Sequence, residues 1–396
     1  MTAPDLARRV FGIALAFFLI ATVIGAGLRW QAVRPHLWFN YAHVLHAHSH
    51  VAFLGWVFNA FIALALRWFV PADRHPAYAK LVGVLMVAVL GMLVAFPLQG
   101  YAAVSIAFST LHMVGAGVFA VWLWRNNRAA SVARGPLRVA LVFLLASGLG
   151  PLSLGPLAAV GLRDTPVYHL SVYFYLHAQY NGWFLFFLQA TLLQSAVAGG
   201  RLVDEQAASR ALRWLATGAV LTYAQSTLWL SPPAWVYAVA AVGGGAQLVG
   251  CGWLAWSLRN ATGRLQGAVR VLAGLAGTTF FLKHLLQALT AWPALGALGS
   301  HRFVVIAFLH LVFLGVVTPA ILAWAIQLGW MRDSGCSRVG LGLLLGSAIC
   351  TELILIAVPF GLPAGFPLAE ALLVAALGMV AGVGLLLGAR SAGVVR

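Results

Sequence analysis

Between Tyr41 and Trp56 the chain reads YAHVLHAHSHVAFLGW, with His43, His46, His48 and His50 crowded at the mouth of a long apolar run. Neutral imidazole offers a lone pair to a transition metal or a haem iron without burying a charge, so it suits a dry interior. At roughly 100° per residue in a helix, His43, His46 and His50 share one face and His48 points nearly opposite. Two or three of the four can converge on one ligand, and one must do something else.

Other chemistry-bearing residues recur at helical spacing. SVYFYLHAQYNGW aligns Tyr173, His177, Tyr180 and Asn181 on one side, and Tyr101, Ser105, Ser109 and His112 follow a similar rhythm. His284 stands beside Lys283, His310 lies in FLHLVFLG, and Glu352 interrupts an apolar run. Polar groups in such company face the interior of a bundle, where they pair or serve a ligand, and an unpaired charge there costs several kcal/mol. Lys283 and Glu352 can pair with each other; alternatively Lys283 meets a haem propionate and Glu352 donates a proton or neighbours a metal.

The elements that position these residues follow from composition. With 62% hydrophobic and 8% charged residues in 396, the chain has too little polar surface for a water-soluble shell, and it reads as an integral membrane protein. A bilayer crossing needs about 20 apolar residues. Twelve segments fit: 10–28, 43–66, 81–98, 102–124, 138–160, 168–198, 212–230, 234–257, 268–291, 303–328, 338–360 and 367–389. Each is continuously apolar, without the alternation of barrel strands, so the expected fold is an all-α bundle of twelve transmembrane helices in one domain, 1–396. There is no nucleotide fingerprint and no evident sequence repeat. Cys251 and Cys350 fall within spans and Cys336 beside one, which argues against a disulfide framework.

The net charge of +16 sits between spans, a membrane pattern rather than a nucleic-acid footprint. Of the 24 basic residues, all but Arg29, Arg34, Arg163, Arg302 and the intraspan Lys283 fall on the side that holds both termini, Arg264 and Arg396 among them. Both termini are therefore expected in the cytoplasm, as for a multi-pass protein of a bacterial inner membrane. On that topology His46, His50, His112, His177, His284 and His310 all lie in the outer half of their spans. His36, His75, His169 and His301 fall at span ends or in loops and read as interfacial.

Twelve helices, an early histidine at the outer end of helix 2, a histidine followed by tyrosine in helix 6 and a histidine in helix 10 resemble subunit I of the haem-copper oxidase superfamily. The resemblance covers the whole chain and is architectural. It implies a low-spin, b-type haem held between His46 or His50 and His310, and a metal, copper or iron, at His177. Tyr180 would correspond to that family's cross-linked tyrosine, although HAQY is one residue shorter than its His-x-x-x-Tyr. The family's His-His pair in helix 7 is replaced here by YAQSTLWLSPP, and its His-x-His in helix 10 by HRFVVIAFLHLVFLG. A relative with one haem, or with another metal held by His177, His112 and His284, fits this pattern better. The resemblance implies an oxidoreductase that binds or reduces a small gas, nitric oxide or oxygen, with a cytochrome or quinol as electron donor. The inner halves of most spans offer little beyond Asn59, Gln189 and Gln194, which argues against proton pumping.

LHAHSH is also similar to the WHAHE-like motif of NnrS-type haem and copper membrane proteins, which are linked to nitric oxide stress; Ser49 stands where those carry an acid. A third reading needs no cofactor. The histidines of a transporter would bind a substrate or relay protons, and the interruption SGLGPLSLGPL in helix 5 is of the kind that broken transporter helices show.

Overall fold

The computed structural model describes residues 3–35, 39–261 and 265–390. His36, Arg264 and Arg396, used above to read loops and charge, lie outside the described residues. The described residues are helical throughout and form no β-strand beyond one isolated bridge between Met331 and Arg390.

Among the described residues ten helices are long and apolar enough to cross a membrane. They are α1 (Leu6–Val33), α2 (Tyr41–Trp68), α3 (Ala72–Gln99), α4 (Ala103–Asn126), α5 (Ser131–Ala159), α8 (Ala234–Ser257), α9 (Gly267–Leu289), α10 (Arg302–Gln327), α11 (Gly335–Phe360) and α12 (Leu368–Gly388). Two further helical stretches, α6 (166–198) and α7 (205–230), occupy the sixth and seventh expected spans but carry more polar residues. The polar side chains of α6 include Tyr173, His177, Gln179, Asn181, Gln189 and Gln194; α7 ends by tightening into a 3₁₀ helix, Thr222–Leu230. The expected interruption in α5 is a single turn residue, Gly148, between Ser131–Ser147 and Leu149–Ala159.

Local chemistry fixes the helix ends. The Asn40 side chain accepts from the amides of Ala42 and His43 at 3.0 and 3.2 Å and starts α2. Pro166 opens α6, where its missing N–H costs nothing. Ser334 and Ser337 form a reciprocal capping box at the start of α11.

The chain gathers into two compact units. One contains the chain up to Phe119 with Gln266–Gly274 and everything from Phe313; the other contains Ala120–Leu265 and Leu275–Val312. In the first, α1 packs on α2 and α12, and α11 packs on α12. The last pair meets backbone to backbone: a Cβ on Gly382 would stand 2.7 Å from the Leu344 amide, and one on Gly340 2.9 Å from the Gly382 carbonyl. Apolar burial gives little drive between helices in lipid, so such close approach and its dispersion contacts hold the pair. In the second unit α7 and α8 meet in the same way, a Cβ on Gly218 falling 2.7 Å from the Gly243 carbonyl.

Candidate functional site

In the first unit the histidine cluster sits on the opening turns of α2, above a core of Phe17, Ala21, Ala47, Val51, Val89, Met92 and Phe96. His48 turns to α1, its Nδ1 donating to the Ala21 carbonyl at 2.9 Å. His46 and His50 face the bend between α3 and α4. The His46 ring lies 4.6 Å from that of Tyr101, and the His50 ring 4.4 Å from that of Phe96. His43 packs over Gly100, whose φ of +62° turns the bend and whose missing Cβ would stand 2.7 Å from that imidazole.

A backbone carbonyl can only accept, so a ring nitrogen bound to one must carry the proton. His50 Nδ1 donates to the His46 carbonyl at 2.9 Å, which leaves the lone pair on Nε2. That is how metal-bound histidines are commonly oriented, with the far nitrogen anchored on the protein. His112, on α4, is buried against Phe58 at 5.0 Å between ring centres, and its Nε2 has no hydrogen-bond partner among the described residues. Ser105 and Ser109, expected on the His112 face, are spent locally: Ser105 on the Gly100 and Ala102 carbonyls, Ser109 on the Ser105 carbonyl.

The second unit carries a different arrangement. Lys283 is completely buried on α9, and its ammonium donates to Asn181 Oδ1. The same amide donates through Nδ2 to His177 Nδ1 at 3.0 Å, and His177 Nε2 donates to the Ala219 carbonyl at 2.7 Å. These bonds link the buried cation to the histidine through one amide, and both nitrogens of His177 are engaged. His284 Nδ1 donates to the Phe280 carbonyl at 2.7 Å, leaving its lone pair on Nε2. That ring lines a cavity the size of one water molecule together with Asn181, Gln189 and Gln247. Gln189 Nε2 and Gln247 Oε1 are buried without hydrogen-bond partners among the described residues.

Tyr180 is buried, its ring 5.5 Å from that of Phe184. His310 ends the first part of α10, in the second unit. Glu352 lies on α11 in the first unit with both carboxylate oxygens out of solvent. Among the described residues no three His, Cys, Asp or Glu side chains gather as a metal ion would require. Of the histidines assigned to span ends, His75 is buried, with neither ring nitrogen hydrogen-bonded among the described residues.

One feature of the main chain escaped the sequence reading. Three π-helical stretches occur among the described residues, Val51–Phe58 in α2, Ala178–Phe184 in α6 and Leu311–Val317 in α10. Each begins directly after a histidine: His50, His177 and His310. Histidine fills 12 of 396 positions, so scatter does not give this coincidence three times in three. π-turns inside α-helices concentrate at functional sites because the wide turn re-aims side chains and loosens main-chain hydrogen bonding. Asn59 closes the first by donating to the Leu54 and Gly55 carbonyls at 3.0 and 2.9 Å.

A sequence signal accompanies them, although no repeat was expected. HVAFLG, HAQYNG and HLVFLG share His-x-x-x-x-Gly, nearly evenly spaced along the chain. At two of these glycines the reason is visible. A Cβ on Gly55 would collide with Phe17, and one on Gly182 with the ring of Phe143, so each glycine lets a neighbouring aromatic press against the π-turn. No protein-family model matches this chain, and no curated protein matches it either.

Proposed function

We propose that the protein is a twelve-helix membrane haem protein of a bacterial inner membrane, with both termini cytoplasmic and an architecture similar to that of subunit I of the haem-copper oxidases. It binds or reduces a small gas, nitric oxide or oxygen, without pumping protons. The observation that carries this reading is the position of His50, His177 and His310. The resemblance assigns His46 or His50, with His310, to iron and His177 to copper, and His50, His177 and His310 stand at the entry of π-helical stretches.

The ligand chemistry fits one haem better than a haem with a copper beside it. His50, with Nδ1 anchored and Nε2 bearing the lone pair, would hold the haem iron together with His310. A haem held in this way would supply the redox iron, and a gas would bind it by displacing one of the two imidazoles. His177 spends both ring nitrogens on protein partners, so a metal there would have to displace the Asn181 amide. The Lys283 ammonium, for which Glu352 and a haem propionate were the alternative partners, donates to Asn181. Tyr180 and Glu352 are the side chains proposed to hold a proton for the reaction, and a cytochrome or quinol would deliver electrons.

The test is colour and metal content. Protein expressed with ample haem supply should show a Soret band and a pyridine haemochromogen of b type. Both should be lost in His50→Ala and in His310→Ala but kept in His48→Ala. An NnrS-type protein would add copper in stoichiometric amount. The cofactor-free transporter reading is favoured by the Lys283–Asn181–His177 chain, in which a buried cation reaches a histidine through one amide; colourless, iron-free and copper-free protein would establish it in place of the haem reading.

A further inference from the structure

A groove of about 570 Å³ lies on the second unit between the start of α7 and the end of α8, lined by Asp204, Gln206, Arg210, Val249, Trp253 and Trp256, among others. The local sequence builds it. Asp204 caps α7 by accepting from the Ala207 amide at 3.0 Å, and its own amide donates to the Ser257 carbonyl at 3.1 Å, tying the two helix ends together. Its carboxylate also takes Arg259 Nη1 at 3.1 Å, so the acid of the groove is already neutralised. Arg210 is different. Its guanidinium carbon lies over the Trp253 ring, 4.6 Å from the ring centre, and it forms no ion pair among the described residues. The Arg259 guanidinium carbon lies over Trp256, 4.5 Å from the ring centre.

The walls have two characters. Trp256 and Val249 are exposed, and Gly252 has open space where a side chain would be, so one side of the groove is apolar and smooth. The other side is polar and carries one uncompensated cation. Tryptophan seeks the boundary between headgroups and hydrocarbon, and a guanidinium held against an indole keeps its donor edge outward for a phosphate oxygen. Arg67 over Trp68 at 4.4 Å and Arg138 over Trp124 at 5.3 Å repeat this pairing at other helix ends. All four arginines fall on the basic side read from the sequence.

The geometry points to the groove between α7 and α8 as a binding site for one anionic phospholipid, its phosphate on Arg210 and an acyl chain along Val249, Gly252 and Trp256. A soluble anion would use the arginine but gain nothing from the apolar wall, and a zwitterionic lipid would bring a cation that Arg210 repels. This site is independent of haem.

Native mass spectrometry of the full chain in neutral detergent, titrated with phosphatidylglycerol or phosphatidylcholine, tests it. Phosphatidylglycerol should be retained in preference to phosphatidylcholine, Arg210→Gln should weaken that binding about fivefold, and Arg210→Lys should recover part of it. Millimolar inorganic phosphate should not compete. Equal retention of the two lipids, indifference to Arg210→Gln, or displacement by phosphate alone would each overturn the assignment. Arg210 is exposed, so the variants leave the fold intact.

Discussion

His50 fixes its own tautomer on His46, because the Nδ1 proton goes to a carbonyl one turn back on the same helix, 2.9 Å away. The imidazole therefore presents a lone pair at Nε2 whether or not anything is bound. His46 contributes its backbone to this arrangement and its ring to the Tyr101 contact. His50→Ala should thus abolish the Soret band, whereas His46→Ala should keep it with a shifted or broadened maximum. Absorption spectra of the two purified variants separate these outcomes, and the reverse order would move the ligand to His46.

Lys283 and Asn181 make a clean pair for a double-mutant cycle. Asn181→Leu leaves a buried ammonium without its acceptor and should cost about 2 kcal/mol or more. Lys283→Met removes the charge with little loss of volume and should cost less. The double variant should be more stable than the sum of the single losses implies, the mark of direct coupling. Thermal or denaturant unfolding in detergent measures all three, and simple additivity would deny the interaction.

The two closing helices should be sensitive to a methyl group at one glycine and indifferent at its neighbour. Gly382→Ala drives a Cβ into the backbone of Leu344, whereas Gly384, two residues further along α12, has open space where a Cβ would stand. The first should destabilise by about 1–3 kcal/mol; Gly384→Ala should be neutral or slightly stabilising through helix propensity. Equal melting temperatures would refute the close crossing.

Asp204 predicts a pH effect at one helix end. The Ala207 amide and then the Arg259 guanidinium hold its carboxylate below the usual range. A depressed folded value means that the stabilisation is complete above the unfolded pKa of about 3.9. It is lost as the pH falls through the lower, folded value. Amides at the start of α7 should therefore exchange faster only on strong acidification. Asp204→Asn, which keeps the cap but not the charge, should remove that dependence.

Topology can be checked without purification. Reporter fusions after Trp68 and Asn127 should read cytoplasmic, and fusions near Pro35 and Arg163 periplasmic. The opposite pattern would invert the proposed orientation and with it the depth assigned to every histidine.

The helices themselves were legible because a bilayer span is a property of composition: ten of the twelve expected segments form helices that are long and apolar enough. The division of labour in HAHSH was legible too, since a helical period alone sends His48 away from its neighbours. Other features depend on what composition does not encode. Asn181 and Lys283 are 102 residues apart, and only the folded chain pairs them. The π-turns are a matter of main-chain register, and their one trace in the sequence, a glycine five residues after each histidine, carries no hydropathy signal.

Those π-turns also make a statement about chain length. A π-bulge is a helix that has absorbed one extra residue locally, so the segments on either side keep their faces. Deleting a single residue from Val51–Phe58 should therefore let an ordinary helix close across the gap, while the same deletion in the middle of α12 would rotate everything beyond it by roughly 100°. At the three histidines this protein can shed a codon and keep its helices. What it would lose is the widened turn, and a deletion variant that folds normally yet fails at its ligand would separate the scaffold from its purpose by length alone.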